Sequence, residues 1–395
     1  MRPSQPIRTI RIRPTKNVRR SKAISPNHHL LPPQQAHHHK AYPSHERQTR
    51  AAAKLATFQE KTYISSMAGA LKPWLFLALC LAQGFTGAGG ISPSSSLKVT
   101  VRGDLPRSEA GQNLEKGRDL ALAGDCKKAL PFLERSTTQA PTLAEAWFWL
   151  GYCQENTGHY EQALRAYQEA YRLKPQLIEA LFGIGSVYLH TQRYAEAAQT
   201  FHEVTVHKPT LAEAHFYLAA AYLMQEKRQE AIPALQKALE QGLADSTQAL
   251  MWLGDTYFEL DSFPQAAEAY ERATRAPSAP GEAFLGLGKA RLGMSDPEAA
   301  LPPLQQAVQR LPNSPYAHYY LGLAYRMKGQ DQEALAAFDK AIELKPDHAR
   351  SHYEAGRLRA LKGDKAGAQK HYEALKSLGS RLAQNLLPLL LEEKR

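Results

Sequence analysis

The chain has 395 residues and a formal net charge of +11. That length would ordinarily divide into two or three globular domains, and that charge would suggest a partner rich in phosphate. Counting by segment excludes the second idea for most of the chain: residues 1–66 carry 13 of the 49 Lys and Arg but 2 of the 38 Asp and Glu, leaving 36 of each sign in 67–395. The excess positive charge belongs to a tail, and the rest of the protein exerts no net pull on nucleic acid.

Residues 1–66 are rich in Arg, Pro, His and Ser and have little periodicity, which predicts disorder. Three readings compete: a segment that binds nucleic acid or an anionic surface, an organelle transit peptide, or a stretch upstream of the true start. The third is preferred because a second plausible start lies at its end. From Met67 the chain reads MAGALKPWLFLALCLAQGFTGAGG, with Lys72 early, an apolar core over Trp74–Ala82 and small residues after it. This is the layout of a secretory signal peptide, which normally begins a protein. Residues 67–90 are therefore expected to direct export to the periplasm or medium. The alternative is a short signal anchor holding the protein at the inner membrane with its basic tail in the cytosol, and only then is membrane contact expected. Residues 91–109 read as a linker; within it LKVTV (Leu97–Val101) alternates like a short strand.

From Ala110 the chain repeats itself. Units begin at Ala110, Ala144, Ile178, Ala212, Thr247, Gly281, Pro315 and Ala349, at steps of 34 residues with a single 35 between Ala212 and Thr247. The eighth position is Gly in seven units and Ala219 in the other, the twentieth is Ala in all eight, and the twenty-fourth is Leu, Tyr or Phe. Within a unit the apolar residues Trp147, Leu150, Gly151 and then Ala163, Tyr167, Ala170 recur at three and four steps, the period of a helix with one buried face. Gln154–Glu161 between them is polar and holds Gly158, a turn signal. Each unit is helix–turn–helix, ended in five units by a proline (Pro141, Pro175, Pro209, Pro312, Pro346) that cannot continue the second helix. One helix pair cannot bury its own stripe, so the units must stack over 110–378. Ser380–Leu391 is predicted to cover the last open face, within a cap and tail over 379–395.

The pattern resembles the tetratricopeptide-repeat family, whose 34-residue unit has Trp-, Leu-, Gly-, Tyr-, Ala-, aromatic-, Ala- and Pro-type positions in fixed order. Trp147, Leu150, Gly151, Ala163, Tyr167, Ala170 and Pro175 match, and the family's eleventh-position tyrosine appears as Tyr188, Tyr222, Tyr257 and Tyr325. The resemblance implies an all-α fold: a right-handed superhelical solenoid of eight repeats with a C-terminal capping helix. It also implies that first helices line a concave groove with their second, fifth, ninth and twelfth positions. Carried over, those positions give a peptide-binding groove of Phe148, Tyr152, Phe182, Phe216, Met251, Phe258, Tyr319, Arg326, Tyr353 and Arg357, with Arg118 at one end and Arg350 near the other. The places where some relatives clamp a peptide carboxylate with Lys and Asn hold Phe148, Tyr152, Phe182 and Ser186, which favours apolar docking instead. A fifth-position aromatic can equally pack against the next unit.

Nothing in the sequence suggests catalysis. Metalloprotease, nucleophile-elbow, P-loop and dinucleotide-binding motifs are all missing, and no cofactor or metal is expected. His37–His39 lies in the tail; His215, His318 and His352 share the fourth position of their units and are expected to pack there rather than ligate. Cys126 and Cys153 fall in adjacent units, where a buried free thiol is the default and pairing requires an oxidising compartment. The reading is a non-catalytic scaffold that binds a protein or peptide, or a second copy of itself, in an envelope or secreted assembly. The alternatives are an accessory subunit of an envelope enzyme complex and a nucleic-acid or anionic-surface binder acting through residues 1–66.

Overall fold

The computed structural model describes residues 108–244 and 246–391. The basic tail, residues 67–90 expected to act as an export signal, and the expected linker as far as residue 107, with its LKVTV stretch, lie outside them. The described residues form seventeen helices and no strand. In chain order they are α1 (Glu109–Leu122), α2 (Cys126–Gln139), α3 (Ala144–Asn156), α4 (Tyr160–Leu173), α5 (Ile178–His190), α6 (Tyr194–His207), α7 (Ala212–Met224), α8 (Arg228–Glu240) and α9 (Ser246–Glu259). The remainder are α10 (Phe263–Thr274), α11 (Gly281–Gly293), α12 (Pro297–Arg310), α13 (Pro315–Met327), α14 (Asp331–Leu344), α15 (Ala349–Leu361), α16 (Lys365–Ser377) and α17 (Leu382–Leu391). Consecutive helices pack in pairs, and each pair packs on the next, giving a helical solenoid of eight repeats closed by α17. That last helix continues through Pro388 and lies against α15 and α16, burying Ala383 and Leu386.

The turn inside every repeat uses one backbone solution. The fifteenth residue is left-handed in all eight: Gly124, Gly158, Gly329 and Gly363, but also Gln192, Glu226, Asp261 and Ser295, with φ between 57° and 84°. A side chain in that conformation is disfavoured by about 1–2 kcal/mol. Gln192→Gly and Glu226→Gly are therefore expected to stabilise the array by up to about 1 kcal/mol each, after the extra freedom glycine gains when unfolded. Gly158→Ala should destabilise by a similar amount; thermal melts of the three variants check this.

A second recurring device explains the fourth-position residues. Trp147 Nε1 donates to the carbonyl of Pro141 (2.8 Å), and the Nε2 atoms of His215, His318 and His352 meet the carbonyls of Pro209, Pro312 and Pro346 at 2.9, 3.0 and 2.9 Å. A carbonyl only accepts, so each of these imidazoles carries its proton on Nε2. The proline ends the preceding helix, and the next repeat's side chain satisfies the carbonyl left over.

The core lies between repeats and is built on complementary volume. Tyr167, with no exposed surface, is held between Gly151 of its own repeat and Gly183 of the next; a Cβ at Gly183 would fall 2.6 Å from its ring. Tyr270 is placed likewise between Gly254 and Gly286. Where the twenty-fourth residue is smaller, the next repeat's sixth residue is larger: Leu133 with Trp149, Leu235 with Trp252, Leu304 with Tyr320. Phe201 stacks on Tyr217 at 5.5 Å, an intermediate case. Close packing leaves no slack for two large residues or two small ones at one junction.

Candidate functional site

First helices of successive repeats touch one another (α1 with α3, α3 with α5, α9 with α11, α11 with α13), and no pair of second helices comes as close. First helices therefore form the inner face of the solenoid, and their side chains make the surface on which a ligand could lie.

The sequence-derived groove residues divide into two sets. Phe148, Tyr152, Phe182, Phe216 and Tyr319 are buried, the three phenylalanines at 5, 4 and 8% exposure. Their rings are engaged with other aromatics: Phe148 with Tyr167 and Tyr152 with Trp149 inside repeat 2, Phe182 with Phe201 of its own repeat and Tyr217 of the next, Phe216 stacked on Trp252 of the next repeat at 4.7 Å, and Tyr319 with Phe338 and His348. They form the floor beneath the surface. Met251, Phe258, Arg326, Tyr353 and Arg357 are partly exposed and form the surface itself, with Leu223, Leu285 and Lys289. The Lys289 ammonium lies 4.7 Å from the centre of the Phe258 ring and 5.4 Å from that of Tyr320, a cation–π arrangement joining three successive repeats.

The charged ends are more neutral than their residue types suggest. Arg326 pairs with Glu354 at 2.9 Å, and Arg357 lies 3.7 Å from the same carboxylate. Arg118 pairs with Asp119 at 3.1 Å. Glu145 and Glu179, at the second position of their repeats, are tied to Lys174 and Lys208 at 2.6 and 2.7 Å.

Two acidic residues at groove positions, Glu155 at the twelfth and Asp255 at the ninth of their repeats, mark where tyrosines reach this face. Tyr167 passes between its two glycines and donates its hydroxyl to the buried Glu155 (2.8 Å), which also accepts from Ser186 and lies 3.8 Å from His190 Nδ1. Burial raises the Glu155 carboxyl above the usual carboxylate range; the Ser186 and Tyr167 hydrogen bonds and His190 oppose this. Tyr270 does the same for Asp255, hydrogen-bonding one carboxyl oxygen. Asp255 keeps an exposed surface, but the protein crowded around it raises its pKa, against the opposing pull of the Tyr270 bond and Lys289. Its open surface limits that effect. The signal was present in the sequence: only these two junctions pair a tyrosine at position 24 with glycine at the next position 6.

Glu155 gives a signed pH dependence. Its folded pKa is raised, so its contribution to stability is complete below the ordinary value of 4.5 and is lost as pH rises through the raised value. Glu155→Gln stays neutral and can still accept one hydroxyl and donate to the other. It is expected to melt higher than the parent at pH 7 and to remove this site's pH dependence, as melts from pH 4 to 8 would show.

Among the described residues no grouping of three or more His, Cys, Asp or Glu could hold a metal ion, and no helix is long and apolar enough to cross a membrane. The geometry offers an extended surface of mixed apolar and charged character, which is suited to binding.

Comparison with known proteins agrees with the fold. Models described as tetratricopeptide repeat match residues 144–177, 179–206, 216–280, 285–349 and 332–382. The chain belongs to the tetratricopeptide-repeat family. Among solved structures it is similar to the C-terminal part of a TPR repeat-containing protein from Cytophaga hutchinsonii, at 16% identity over 61% of this chain and 99% of that one, with a TM-score of 0.52. It is also similar to YrrB, described as a TPR protein with an unusual peptide-binding site (26% identity, 49% of this chain and 100% of that one, TM-score 0.43). Pseudomonas aeruginosa pilF is a further similar structure (21% identity, 53% and 96%, TM-score 0.45). No curated protein matches the chain.

Proposed function

We propose that this array is a non-catalytic scaffold that captures a segment of another protein along its first-helix face, in repeats 4 to 8. The observation that carries the reading is the change in character along that face. At the fifth, ninth and twelfth positions the apolar side chains of repeats 1 to 3 are buried; from repeat 4 on Phe216, Leu292, Tyr319 and Leu323 are buried as well, but Leu223, Met251, Phe258, Leu285 and Tyr353 stay partly exposed, beside Asp255, Lys289 and Arg357. On α4, a second helix, the exposed positions Glu161, Arg165, Gln168 and Arg172 are polar instead. A row of partly exposed apolar side chains with charges beside it suits an extended or helical peptide that docks apolar anchors and fixes its register by polar contacts.

The test is capture of a partner from source-cell extract by the parent and by Met251→Asp and Phe258→Asp variants, with Glu268→Lys on α10 as a control. Loss of capture by both groove variants, with unchanged melting and unchanged capture by the control, is expected. Capture by both groove variants at parental levels would sink the proposal.

The setting we propose is outside the cytosol, motivated by the signal-like segment at Met67. An N-terminus near Phe85 or Gly89 in an exported fraction of native cells is expected. A chain that retains Met1 and stays in the cytosol would overturn export and make the basic tail the first surface to test.

A further inference from the structure

The charges of the first-helix face are sorted along it. In repeats 2 and 3 the second-position glutamates are neutralised: Glu145 and Glu179 are tied to Lys174 and Lys208, the thirty-first residues of the same repeats. In repeat 4 that place is Gly242, so Glu213 has no lysine to meet, and among the described residues it forms no ion pair. Asp255 of repeat 5 accepts a hydrogen bond from Tyr270, a neutral donor, and keeps an exposed surface. At the second, fifth, ninth and twelfth positions, repeats 4 and 5 thus carry two carboxylates and no cation.

Repeats 7 and 8 are the reverse. Arg326 and Arg357 share the single carboxylate of Glu354, at 2.9 and 3.7 Å, and among the described residues neither has another ion pair. One carboxylate cannot neutralise two guanidinium groups. Arg326 Nε is left without a hydrogen-bond partner, and Arg357 keeps 31% of its side-chain surface exposed. Arg350, at the second position of repeat 8, has the same sign. Repeat 6, between the two regions, holds one charge of each kind, Glu282 and Lys289.

We propose that the segment captured on this face is bipolar, with a cationic group for repeats 4 and 5, an anionic group for repeats 7 and 8, and apolar side chains between them. This rests on the capture reading above and adds the chemistry of what is captured. Met251, Phe258 and Leu285 receive the apolar anchors, and the two poles fix the register. Charges across an interface govern specificity and encounter more than affinity, and like charges brought together are strongly penalised. A segment that is acidic or basic throughout therefore meets repulsion at one pole. Packed helices lie ~8–10 Å apart, so the three steps from Asp255 to Arg357 cover roughly 24–30 Å, about eight residues of extended chain.

The experiment selects binders of the full chain from a displayed library of random peptides of about twenty residues, which cross ~30 Å even as a helix. The selected peptides are expected to carry Lys or Arg towards one end and Asp or Glu towards the other, with apolar residues between, and to be lost on Met251→Asp. Arg357→Glu and Asp255→Lys are each expected to weaken them roughly tenfold at low salt and much less at ~1 M salt. Arg357→Gln, which puts no second anion beside Glu354, should weaken them less, in the same direction. A fresh selection on Arg357→Glu should exchange the acidic residues for basic ones. Peptides that need Met251 but show no separation of charge would overturn the bipolar partner and leave the capture reading standing. Peptides indifferent to Met251→Asp, or a selection that yields none, would overturn both. The sequences selected on the parent chain decide the matter even if a variant folds poorly.

Discussion

Gly286→Trp is expected to destabilise the array by about 3 kcal/mol, and adding Tyr270→Leu to the same chain should restore most of that loss. In the parent, Tyr270 is buried between Gly254 and Gly286, and any side chain at 286 collides with its ring. Tyr270→Leu alone should also destabilise, by about 2 kcal/mol, because it leaves unfilled volume beside a glycine. The double variant reproduces the combinations found at Leu133 with Trp149 and Leu235 with Trp252. The double variant is then expected to lie about 1 kcal/mol below the parent, a coupling of roughly 4 kcal/mol, beyond the ~0.5–3 kcal/mol usual for contacting residues because the two side chains claim one volume. This junction is chosen over Tyr167 and Gly183 because Asp255 keeps exposed surface when its tyrosine is lost, whereas Glu155 would be left buried. Denaturant melts of the four chains, with hydrogen exchange in α9–α12, measure the cycle. Additive effects would mean that the two positions do not share one volume.

Acidification from pH 6.5 to 4 is expected to loosen the C-terminal repeats. His348 occupies the N-cap position of α15 without a side-chain bond to the helix amides; its Nδ1 lies 2.7 Å from Ser351 Oγ and its ring lies against Tyr316 and Tyr319 of α13. Burial holds its pKa down at about 4, aided by Lys345 and Arg350. His371 is held at about 4 chiefly by burial, then by His352 and Arg359. The Nδ1 atoms of His352 and His371 are 3.1 Å apart; because His352 donates through Nε2, His371 is the donor between them. Both folded pKa values lie below the unfolded value of 6.5, so the stabilisation is complete above pH 6.5 and is lost as pH falls towards 4. For the well-buried His348 the loss reaches roughly 3 kcal/mol at pH 4. Glu155 acts in the opposite sense, so exchange should quicken in α13–α17 and not in α3–α5. His348→Asn puts a good N-cap residue without a titrating ring at this position and is expected to remove most of the acid sensitivity. Equal quickening in parent and variant would show that His348 is not its source.

The repeat register and the helix–turn–helix unit were legible because they rest on local rules. Small residues mark backbone approach, a polar turn breaks the period, and proline ends a helix; α3, α4 and their turn at Gly158 arise directly from these. The depth of the groove aromatics was not legible. Phe216 would be the same residue whether it met solvent or a partner, and its burial depends on Trp252, one repeat away in the sequence and stacked on it in space. Likewise Arg326 reads as a cation until Glu354 is placed beside it. Such features depend on the registration of one repeat against the next. Part of that registration was nonetheless written in the chain, as the exchange of size between position 24 and the next position 6.

The most direct test of the scaffold account is site-specific photo-crosslinking in native cells, with the probe placed in turn at Met251, Phe258 and Tyr353 on the first-helix face and at Glu268 and Arg172 on second helices. The account expects one protein partner crosslinked from the first three positions and none from the last two. Adducts confined to Glu268 and Arg172 would contradict it and move the binding surface to the opposite side of the solenoid.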